Sequence, residues 1–383
     1  MYDNFGLPFY PIIFQILLVL TFALHIIFVN LTWGSSFLAF YFNSRKEEKF
    51  INLSNALKKS IPSLFSVAML LGIAPLLFIQ TIYDYFWYNS NVISGIFVIL
   101  FIFVLILAFS FLYIYYLSEK APNWLGLLSF LLISFAGITM HILNIQMLKA
   151  SKWANFWSPS SFGRLNTFEI YRFLHFFLAS FALVGFFILI NSWYLKKKQV
   201  EEEIVNFRAN LGYKIFFIFT ILQAVSGIWW LLMIPGKFKF YFNHFFIASL
   251  LLFLILLHFM VRALKDPLKY FWHISINLFV LLLFMAINRE SLRSLYLKEE
   301  GFNLSQYPLN IHIPSFVLFL VTFLLAVFVA YFMLTVVFKG GLQKEKLEES
   351  KFIKFLANFS IAGLLVWLCV VVLIGIIIYV KNL

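Results

Sequence analysis

Polar residues interrupt this chain only at intervals. Between them run apolar blocks at or beyond the ~20 residues that a helix needs to cross a bilayer. Ten such blocks lie at roughly 14–42, 61–87, 92–117, 122–148, 168–195, 211–234, 242–264, 270–287, 314–338 and 355–380. They are continuous, without the alternation of a transmembrane barrel strand, and lipid leaves helices as the other spanning structure. The connecting segments are too short to form a soluble domain, and no internal repeat is evident. The expectation is an all-α polytopic transmembrane bundle forming a single domain over residues 1–383.

Composition agrees with that reading. Hydrophobic side chains make up 63% of the residues and charged ones only 12%, outside the range of soluble globular chains. The net charge of +13 points to topology more than to nucleic acid, because Lys and Arg cluster in short loops such as those around Lys46, Lys197 and Lys346. Counted over alternate loops, this bias places the N-terminus outside, and with ten spans the C-terminus as well. The opening MYDNFGLPFYP has an acid and no basic cluster, so it does not read as a cleaved signal peptide. One cysteine, Cys369, rules out both a disulfide framework and a Cys-x-x-Cys-His site for covalent haem. No glycine-rich phosphate loop, Ser/His/Asp order or zinc-type cysteine cluster stands out. Acids near the spans are few (Asp84, Glu119, Glu169 and Glu290), which argues against a carboxylate-lined ion path. The 52 phenylalanines serve as lipid-facing and core filler.

Histidines carry the candidate chemistry, because a titratable ring inside hydrocarbon costs free energy unless something binds it. His25 lies well inside the first block, and at 100° per residue Thr21, Thr32 and Ser36 share its face. It is either hydrogen-bonded to a neighbouring helix or an axial ligand to haem iron. In the fifth block, Ala179 and Ala182 follow His175 on one face, leaving room for a flat macrocycle or for close helix packing. Arg172, one turn earlier, is placed to pair with a haem propionate or to snorkel outward. The fourth block repeats this more weakly: Ser134, Gly137 and His141 share a face, with Asn144 a turn further on. His244 and His258 stand fourteen residues apart, about 21 Å along one helix face, a spacing similar to the ligand pairs of di-haem cytochromes b. By the charge-based orientation, His141, His175 and His244 lie toward the outer face, His258 and His273 toward the inner one, and His312 in an outer loop.

Three stretches carry a resemblance. The run from His25 to Gly34, His-Ile-Ile-Phe-Val-Asn-Leu-Thr-Trp-Gly, resembles the first helix of subunit I of the cytochrome bd oxidases. Leu71-Gly72-Ile73-Ala74, followed by Phe78, Gln80 and Tyr85-Phe86-Trp87, is similar to that family's glycine-rich helix in degraded form. The His175 span, ending in Ser-Trp-Tyr-Leu-Lys-Lys-Lys198, resembles the helix that carries the low-spin haem ligand. The likeness covers about the first half of the chain. It implies a membrane haem b subunit, with one to three haems, of a respiratory electron-transfer complex in a bacterial inner membrane. His25 and His175 would be the iron ligands. Electrons would pass between a quinol or a periplasmic cytochrome c and a partner membrane subunit, making the protein part of an oxidoreductase. Its alternative is a haem-free transporter, channel or scaffold subunit. Three departures are plain. The external quinol-binding loop shrinks to residues 235–243, the Gly-Arg-Gln-Pro-Trp signature is absent, and the second and third spans lack the family's glutamates. The methionine that completes the low-spin haem is not identifiable, and Met285, Met233, His141 and His244 all stand as replacements. Catalytic residues stay unassigned.

Overall fold

The computed structural model describes residues 6–7, 9–118, 121–156, 163–306, 308–311, 313–336, 339 and 350–381. Its long helices are α1 (Pro11–Ser44), α2 (Glu48–Ile82), α4 (Gly95–Leu117), α5 (Trp124–Gln146), α7 (Ile170–Lys197), α8 (Glu202–Met233), α9 (His244–Arg262), α10 (Phe271–Glu299), α11 (Ile313–Val336) and α12 (Lys351–Lys381). Two short helices, α3 (Asp84–Ile93) and α6 (Trp153–Phe156), lie between them. The ten long helices are each long and apolar enough to cross a membrane, so the polytopic helical bundle expected from the sequence is the architecture observed. His312 and Glu119 fall outside the described residues.

Local chemistry explains the helix boundaries. Pro11 opens α1, where its missing N–H costs nothing, and Asn243 caps α9 by accepting from the N–H groups of Phe245 and Phe246. Within the spans, hydroxyls are satisfied by their own helix. Thr21, Thr32 and Ser36 donate to the carbonyls of Leu17, Phe28 and Thr32 at 2.7–2.8 Å, so the weakly polar face of α1 does not bond His25. Two boundaries differ from expectation. The second span stops at Ile82, and Tyr85, Phe86 and Trp87 sit on the separate α3, because Tyr83 leaves helical geometry with its ring buried and its hydroxyl donated to Glu290. The eighth span continues past 287 to Glu299, carrying Arg289, Glu290 and Arg293 within α10 instead of in a loop.

The chain divides into two compact units. The larger, Ile12–Gln306, holds eight of the spans and one continuous core in which Leu31, Trp33, Phe42, Phe65, Phe181, Leu189 and Phe216 are all buried. Without a hydrophobic drive between helices in lipid, close backbone approach does much of the packing. Gly34 of α1 lies against the carbonyl of Ser180 in α7, and Gly185 of α7 lies against Gly212 and Phe216 of α8. The smaller unit combines Asp3–Pro11 with Tyr307–Leu383. In it the backbone of Leu7 pairs with Pro308 and Asn310, and Trp367 of α12 donates to Thr322 of α11 at 2.7 Å.

Candidate haem-binding cavity

Inside the larger unit lies a cavity of about 260 Å³, lined from α1, α2, α4, α5, α7, α8 and α10. Most of its wall is apolar, including Ile26, Val29, Phe65, Leu105, Ile133 and Phe173. His25, His141, Arg172, Arg289 and Arg293 also face it.

His25 is held by α2. Its Nδ1 lies 2.8 Å from the carbonyl oxygen of Ala68. A carbonyl only accepts, so Nδ1 carries the proton and Nε2 keeps its lone pair, the arrangement that orients a ligating imidazole. The ring rests where Gly72 has no side chain: a Cβ there would stand 2.8 Å from Cε1 and 3.0 Å from Nδ1. His175 is held in the same way by α8. Its Nδ1 lies 3.0 Å from the carbonyl of Gln223, and a Cβ at Gly227 would stand 3.2 Å from its Cε1. In both pairs the glycine follows the accepting residue by four positions. A ring that reaches a helical carbonyl lies here over the residue one turn further on, and glycine at that position spares it a tight Cβ contact. The Nε2 of His175 has the Gln223 side-chain amide at 3.4 Å, and the Trp230 ring is packed at 5.7 Å. Ala179 and Ala182 are buried, and Ala182 belongs to the hydrophobic core.

His141 is engaged differently. Its Nε2 accepts the backbone N–H of Glu169 at 3.3 Å, so the lone pair faces the start of α7 while the ring edge meets Phe168 and Phe173. His244 and His258 sit on α9 as exposed side chains, and neither lines the cavity. Met233 is exposed and Met285 packs against the core, whereas Met69 and Met140 line the cavity, two residues that nothing in the spacing singled out. Among the described residues no three His, Cys, Asp or Glu side chains converge.

Charge gathers at the end of the bundle where α7 begins. Glu169 receives Lys149 at 2.8 Å and Arg172 at 3.5 Å. Burial pushes its carboxyl up, but Arg172 and Lys149 outweigh that and hold it below the usual carboxylate value. A depressed folded-state value means stabilisation that is complete above the ordinary carboxylate range and lost as pH falls through the lowered one. Thermal stability in detergent is therefore expected to fall toward acid pH, and Glu169→Gln to flatten that slope. Arg172 lies over the Trp230 ring at 5.0 Å and is only 8% exposed, instead of snorkelling outward. Arg289 reaches Asn144 at 3.0 Å and covers the Phe22 ring at 3.9 Å, and Arg293 binds Glu290 at 2.6 Å.

The residues present fit a haem on three counts: an imidazole with a free Nε2 at an apolar cavity, a glycine cradle for its ring, and guanidinium groups for acid substituents. No protein-family model matches the sequence, and no curated protein matches it either. The fold does match a solved structure. A chain of the bd oxidase from Geobacillus thermodenitrificans superposes with a TM-score of 0.63 at 15% identity, over 87% of this chain and 99% of that one. In fold, the chain is a polytopic helical bundle similar to that chain of a bd oxidase.

Proposed function

We propose that the protein is a haem b-carrying membrane subunit of a respiratory oxidoreductase complex, with His25 and His175 as iron ligands through Nε2. The observation that carries this reading is the paired device: two histidines on different helix pairs, each with Nδ1 on a helical carbonyl and its ring over a glycine. Bound haem b supplies a one-electron iron couple whose potential responds to the axial ligand and to burial. The chain's own part is to fix the tautomer of each imidazole, wall the site off from water, and offset acid groups with Arg172. Electrons would pass between a quinol or a cytochrome c and a partner subunit of the complex, with the N-terminus outside a bacterial inner membrane. His141 and His244 are set aside as further ligands, since the Nε2 of His141 faces a fixed backbone N–H, that of Glu169, where His175 meets only a side-chain amide that can rotate away, and His244 is exposed.

The purified protein is expected to show a b-type α-band in a reduced-minus-oxidised spectrum. His25→Ala and His175→Ala are each expected to lower the extracted haem per chain by one equivalent while leaving the circular dichroism of the helices intact. A colourless protein, or variants with unchanged spectra, would instead assign the chain to a haem-free scaffold or transport role.

A further inference from the structure

The polar end of the cavity carries more positive charge than its neighbours offset. Arg172, Arg289 and Arg293 all line it. Of the two carboxylates there, Glu169 is shared between Lys149 and Arg172, and Glu290 is taken by Tyr83 and Arg293. Arg289 is left with a neutral amide oxygen and an aromatic face. One donor at the cavity also lacks an acceptor: Trp230 Nε1 is shielded without a hydrogen bond, and its indole is covered by the guanidinium of Arg172, whose Nε faces Glu169. A buried donor without an acceptor, and a cation without a carboxylate in a water-poor bundle, each cost free energy that a bound anion would recover. Most of the remaining wall is apolar.

Resting on the haem reading above, we infer that this end of the cavity is a carboxylate-binding pole, in which Trp230 Nε1 and the guanidiniums of Arg289 and Arg172 receive the acid groups of the porphyrin. The shared chemistry is a carboxylate on an apolar body, and a membrane fatty acid offers the same, so the test separates the two sources.

The full-length chain, produced in haem-deficient cells and held in detergent, is titrated with iron protoporphyrin IX and with its dimethyl ester, following the Soret band. The wild-type protein is expected to bind the free acid about tenfold more tightly than the ester, equivalent to about 1.4 kcal/mol. Trp230→Phe and Arg289→Gln should each remove most of that preference, and Arg289→Lys should restore part of it. Unchanged affinity for the ester in these variants shows that they fold. Equal binding of acid and ester by the wild type, with a histidine-ligated spectrum, overturns the pole and leaves the haem reading standing. Absence of porphyrin binding overturns both. Retention of oleate in place of porphyrin, lost in Arg289→Gln, assigns the pole to a lipid and overturns it as a porphyrin site.

Discussion

Replacing Glu290 with leucine is expected to destabilise the larger unit by about 3–5 kcal/mol, the range for breaking a buried ion pair from one side. Glu290 and Arg293 are 6% and 4% exposed, and the carboxylate also accepts the hydroxyl of Tyr83. Leucine at 290 would leave a guanidinium and a phenol in the protein interior with no acceptor. The check is a denaturation series in detergent micelles that includes the double variant. Glu290→Leu with Arg293→Leu should recover most of the loss, because removing both partners costs far less than orphaning one. If the double variant is no more stable than the single one, the pair is not what holds Tyr83 and the end of α2 against α10.

The second large effect is expected at the crossing of α7 and α8. A Cβ on Gly185 would lie 2.4 Å from the backbone nitrogen of Phe216 and 2.8 Å from the carbonyl oxygen of Gly212. Those atoms belong to helix backbone, so no rotamer change relieves the clash and the helices must separate. Gly185→Ala is expected to cost about 3 kcal/mol, the upper end of the usual overpacking range. Gly212→Ala disturbs the same contact, so the two substitutions together should cost less than their sum. The same helix pair sets His175 against the carbonyl of Gln223. Loosening it should also broaden any absorbance assigned to a His175-bound haem, a signal that a purely local packing defect would leave alone.

How much of this was legible varies from residue to residue. Mean hydropathy over windows is insensitive to partners, so the spans could be placed from the sequence alone. It misled at the end of α10. Arg289, Glu290 and Arg293 look like loop residues in a linear reading, yet Asn144, Phe22, Tyr83 and each other make them tolerable inside a helix. Among the histidines, residue type alone could not rank the candidates. His25 and His141 are 116 positions apart in the chain and line one cavity, whereas the evenly spaced His244 and His258 are exposed. The glycines opposite His25 and His175 had no readable signal, because the ring each accommodates belongs to another helix. Gly72 entered only through its resemblance to a family helix, without a reason for its presence.

The number of spans, their helical character and the residence of the chain in lipid follow from the run lengths of its apolar residues. These are one-dimensional properties, since a bilayer tests each segment largely by itself. Which imidazole meets which carbonyl, and which arginine is left without an acid, emerges only when helices distant in sequence are brought within hydrogen-bond reach. Those contacts span a few ångströms and depend on the rotation of each helix about its axis, a degree of freedom that hydropathy does not constrain.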